Sequence, residues 1–95
     1  MDRLWDLVVG QLRAFNDLIG PENNLGVCLP GISHSCLLPS VVEDFNAQVI
    51  ILQGDLEDGR PARAVFDSSS FPLVLVAIPK PQDQPKRAMG FHSMR

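Results

Sequence analysis

The residues of this chain best equipped for chemistry lie in one short stretch, CLPGISHSC, where Cys28, His34 and Cys36 follow one another at spacings of six and two. Thiolate and imidazole are the ligands zinc prefers. A structural zinc site, however, needs four of them around a tetrahedron, usually as two pairs whose members are two to four residues apart. His34 and Cys36 would project to one side of an extended segment and could form one such pair. The other would have to be assembled from Cys28 and the distant His92, because the chain contains no CxxC. Two small buried thiols and a loop histidine explain the same residues more simply, so neither metal nor cofactor is expected.

The same stretch can be read as a nucleophile with its base. A thiol becomes reactive when a base lies within hydrogen-bond reach and a third group orients that base. Cys36 or Cys28 with His34, and Ser33 and Ser35 beside them, would make a small thiol-dependent hydrolase or transferase. No glycine-flanked nucleophile motif accompanies them, so this stands as the alternative reading and no catalytic residue is assigned.

A third candidate is the acidic stretch GDLEDGRPARAVF at residues 54–66. With Gly59 as the turn glycine of a calcium loop, the first, third and twelfth ligand positions fall on Gly54, Leu56 and Val65, which have no side-chain oxygen. A hairpin accounts for it better. Asp58-Gly59 suits a two-residue type I′ turn between β-branched flanks, with Glu57 and Arg60 facing one another as an exposed pair. The neighbouring acids Glu43-Asp44 and Glu57-Asp58 point different ways along an extended chain and read as solvated surface. Neither GxGxxG nor GxxxxGK[ST] occurs, so these phosphate cradles are absent.

Charge narrows the partners. The net charge of −3 argues against a general phosphate-backbone binder. It is unevenly divided: Lys80, Lys86, Arg87 and Arg95 against Asp83 alone make residues 80–95 locally +3, which leaves −6 for residues 1–79. This basic, proline-containing tail is expected to be flexible, with Lys86, Arg87 and Phe91 as its partner-binding residues. No specific nucleic-acid partner is expected, and weak contact of the tail with nucleic acid or a membrane surface stays open. No apolar run reaches the length of a membrane span, and acids occupy the start where a secretory signal is basic, so a soluble, cytoplasmic protein is expected.

The elements that would position these residues follow from periodicity. Leu4, Val8, Leu12, Phe15 and Ile19 recur at helical steps, with Asp6, Gly10, Arg13 and Asp17 on another face. The spacing predicts an amphipathic helix capped by Asp2, widened by Trp5 and Leu7, and stopped at Gly20-Pro21. Five prolines and glycines break residues 20–40 into short pieces. Residues 47–53, 62–67 and 71–78 read as strands, whereas SVVEDFNA could be a strand or a helical turn. The fold class is therefore α+β: residues 1–79 form one domain, an N-terminal helix packed on a small, mainly antiparallel sheet of three to five strands, and residues 80–95 form a mobile C-terminal tail.

Function follows from an imbalance in that architecture. FPLVLVAI and AQVIIL are apolar on both faces, yet the single helix covers one face. Leu37, Leu38, Val41, Val42 and Phe45 could fold back over part of the other. What stays uncovered would mark an interface. The chain is thus expected to be a non-enzymatic interaction or assembly module. It would act as a homodimer or with a protein partner through Leu73, Val74, Leu75 and Val76. Small α+β modules of this element order include assembly subunits of viruses and phages, a likeness of architecture alone.

Overall fold

The structure is a computed structural model that describes residues 3–29, 35–46, 48–67, 69 and 73–93. The element order is α1 (Arg3–Leu18), β1 (Asn23–Cys28), β2 (Cys36–Asn46), β3 (Val49–Leu56), β4 (Pro61–Asp67), β5 (Val74–Pro79) and β6 (Gly90–Ser93). None of the described helices is long and apolar enough to cross a membrane.

Periodicity placed the helix well. Leu12 and Val9 are buried and Leu4, Val8, Phe15 and Ile19 half-buried, while Asp6, Gly10, Arg13 and Asp17 face solvent. Leu7 departs from expectation, being 60% exposed. At 3.6 residues per turn it lies about 100° from the centre of the apolar stripe, on the side away from Trp5 and Val9, which widen the stripe instead. Asp2, the expected cap, lies outside the described residues. At the other end Gly20 adopts φ 80, a left-handed conformation that ends the helix. Asn23 Nδ2 then donates to the free carbonyl of Ile19 at 2.9 Å.

The sheet runs β4-β3-β2-β1-β5, with every neighbour in that path antiparallel, and β6 lies parallel on β2. The described residues form six strands, against the three to five expected: residues 25–45 bring the count to five, and β6 exceeds it. Residues 25–45 do not fold back as a cover. They supply β1 and the 11-residue β2, the central strand, with Leu37 and Val42 fully buried in the core.

Pro39 should have interrupted such a strand, because proline cannot donate to the ladder. It is accommodated by a register shift between Pro39 and Val41, at which Ser40 Oγ donates to Gln53 O at 3.2 Å. Opposite Pro39 stands Gly54, and any side chain there would collide with the Leu38 carbonyl. The β3–β4 connection also differs from expectation. Gly59 N donates to Leu56 O at 2.9 Å, and Leu56 N to Arg60 O at 2.8 Å. This is a three-residue loop with Gly59 at φ 93, rather than a two-residue turn. Arg60 pairs with Asp58 at 2.8 Å instead of with Glu57, and the Arg60 backbone N–H, ahead of its guanidinium, holds the Asp58 carboxyl below its ordinary range.

One face of the sheet meets α1. Leu25, Val27, Leu37, Val42, Ile50, Leu52 and Leu56 close around Leu12 to form the core. The sheet splits on one edge of β2: Cys36 and Leu37 pair with β1, and Val41 to Asp44 pair with β6. Residues expected to belong to a flexible tail thus include the sixth strand.

Candidate functional site

The opposite face of the sheet brings the singled-out residues together. Across one end of it run Val74 of β5, Cys28 of β1 and Cys36 of β2, each directly opposite the next in register. Glu57, just beyond β3, continues the row, its Oε2 accepting from Cys36 N at 2.9 Å. Sequence reasoning placed both cysteines in loops or short pieces. The signal that would have aligned them is that the seven residues between them suffice to turn one strand back on the other.

The two sulfurs are 3.1 Å apart and both cysteines are half-buried free thiols. Burial first, then the Cys28 contact and the charge of Glu57, push the Cys36 thiol up to about 12. Cys36 consequently keeps its proton at neutral pH, and one of the two thiols donates to the other across that contact. The zinc quartet is not assembled. His92 is exposed on β6 opposite Glu43, seven residues along β2 from Cys36, roughly 23 Å at the rise of a strand. His34 and Ser33 lie outside the described residues.

The four residues expected at an interface divide between two faces. Leu73 and Leu75 pack against the core. Val74 and Val76 stand opposite Cys28 and Gly26 and point to the uncovered face, where Val74 is 55% exposed. Gly26 leaves a hollow in β1 into which the side chains of Ile78 and Val76 lean. β5 is an end strand of the sheet path, as is β4 on the far side.

The three tail residues are each engaged within the chain. Lys86 Nζ donates to Asn16 O at 2.9 Å and to Gly20 O, and so supplies the cation that the last turn of α1 lacks. Arg87 donates from its backbone to Asn24 Oδ1 at 2.9 Å and from its guanidinium to Asp55 at 3.2 Å. The Phe91 ring lies edge-on to Trp5, with centroids 6.5 Å apart, and 4.6 Å beneath the Arg13 guanidinium.

An open depression of about 330 Å³ on the uncovered face is lined by Ser40, Gln53, Asp55 and Arg63, among others. Its polar groups are already paired: Arg63 donates to Gln53 Oε1 at 2.7 Å, and Asp55 faces Arg87. This band separates the Val74 patch from a second apolar area around Ile51 and the exposed Val65. Comparison with protein-family models, curated proteins and solved structures finds no match to this chain.

Proposed function

We propose that the chain is a non-enzymatic interaction or assembly module that dimerises with a second copy of itself through the β5 edge, with Val74 and Val76 at the contact. The observation that carries this reading is the contrast between the two end strands. β4 bears Pro61, Arg63 and Asp67 at exposed positions, the devices that keep a sheet edge from pairing. β5 has no charge along its six residues, opens on the exposed Val74 and carries proline only at its last position, Pro79.

An uncharged strand can meet its own copy without opposing like charges, whatever the −3 carried by each molecule. Leu73 and Leu75, anchored in the core, hold the strand while its other face stays open. A stable contact needs about 800 Å² from each partner, against a total surface of 6107 Å². The β5 edge together with Val74 and Val76 would contribute to it. The thiol-enzyme alternative draws no support from the contacts of Cys36, whose sulfur meets Cys28 Sγ at 3.1 Å and whose backbone N–H donates to Glu57.

Sedimentation equilibrium tests the proposal. The wild type should be a dimer at micromolar concentration, and Val74→Lys should be a monomer with unchanged circular dichroism, because the side chain it alters is exposed. A wild type that remains monomeric at millimolar concentration would overturn it.

A further inference from the structure

The contact between Cys28 and Cys36 is more specific than two thiols sharing a pocket. The residues are directly opposite in an antiparallel pair, and opposed residues in such ladders have Cα atoms about 4.5–5.5 Å apart. That separation lies inside the range of roughly 4.4–6.8 Å that a disulfide spans. The sulfurs already point at each other at 3.1 Å, so small side-chain rotations separate the dithiol from a bond. Both side chains also keep part of their surface in solvent, which leaves an approach for a small reagent.

We propose that Cys28 and Cys36 form a dithiol–disulfide exchange site that reacts with small disulfides of the oxidised glutathione class and closes a covalent cross-strand bridge between β1 and β2. The proposal does not rest on the dimer. Cys28 attacks first, and Cys36, its cross-strand neighbour, resolves. The Cys28 sulfur bonds to one sulfur of the small disulfide, whose S–S bond breaks, and one small thiol leaves with the Cys28 proton. Once Cys28 is in that mixed disulfide the thiol–thiol contact between the two residues is gone. The Cys36 proton passes to solvent, its sulfur attacks Cys28 Sγ, and the second small thiolate is expelled and takes up a proton. Two protein thiols lose two electrons and two hydrogens, and one small disulfide becomes two small thiols.

Incubation of the full chain in reduced and oxidised glutathione, followed by acid quench and intact-mass analysis, tests this. The folded wild type should lose the mass of two hydrogens without gaining glutathione. Its equilibrium constant should exceed that of the urea-unfolded chain by about tenfold or more, since folding raises the effective concentration of one thiol at the other. Cys36→Ser should stop at the glutathione adduct on Cys28, showing the intermediate that the wild type resolves. Persistence of the dithiol, accumulation of adducts or cross-linked chains in the wild type, or an equal constant for folded and unfolded chains would each overturn the proposal.

Discussion

Cys36 is the residue whose environment most changes its ordinary chemistry. In the unfolded chain its thiol titrates near 9.0, and in the folded protein burial and the neighbouring Cys28 and Glu57 raise this to about 12. The folded state therefore holds the proton longer than the unfolded one. The stability that this supplies is complete below pH 9 and is lost as pH climbs toward 12. Urea midpoints measured under reducing conditions from pH 8 to 11 should fall more steeply for the wild type than for Cys36→Ser. Both chains share every lysine and arginine, so the difference between the two profiles isolates the thiol. Parallel profiles would mean that Cys36 is not held in this way. At the same scale, Lys86 shows how a charge in a polar tail acquires a structural partner: the last turn of α1 offers carbonyls and no cation of its own.

Among the elements, β2 decides the architecture, and its long run depends on one accommodation. Pro39 fits only because the ladder shifts beside it and because Gly54 presents no side chain to the Leu38 carbonyl. Gly54→Ala would push a methyl group into main chain, where no rotamer can yield. The cost should be about 3 kcal/mol, the upper end for overpacking, read as a lowered urea midpoint. Val65→Ala, at an exposed position on β4, should change little. A Gly54→Ala chain of wild-type stability would show that the two strands can separate freely there. Helix α1 was legible because its pattern is local and repeats over about four turns. β3, β4 and β5 were legible from their apolar runs, to within a few residues. β1 and β2 were not, because their prolines and glycines read as breaks unless the partner strand that absorbs them is known. The candidate site suffered likewise. Cys28, Cys36 and Val74 come from three separate strands, and only the register of the folded sheet aligns them. Strand β6 was missed because a four-residue parallel strand inserted far from its partner leaves no period to detect.

For the molecule as a whole, residues 80–93 work as a strap between the two layers. Lys86 reaches the end of α1, Arg87 reaches Asn24 and Asp55, and Phe91 sits between Trp5 and Arg13. Removing residues 80–95 would strip the core of Phe91 and Met89 and leave part of one edge of β2 without its partner. A chain of residues 1–79 should accordingly lose roughly 3–5 kcal/mol, comparable to deleting a large aromatic side chain from a core. For a domain this small that approaches the total. Thermal melting should then be broad and non-cooperative. A sharp transition near that of the full chain would instead place a domain boundary at residue 79. The split edge of β2 also sets an order of events. The β2–β3 and β3–β4 hairpins join neighbours in sequence and can close on a microsecond scale. β1 must wait for β5, and β2 for β6, from about fifty residues away. Loop-closure entropy makes such long-range pairings the slow ones. Folding kinetics should then have a fast meander and a late latch, with the short parallel strand among the last parts to engage and the first to release.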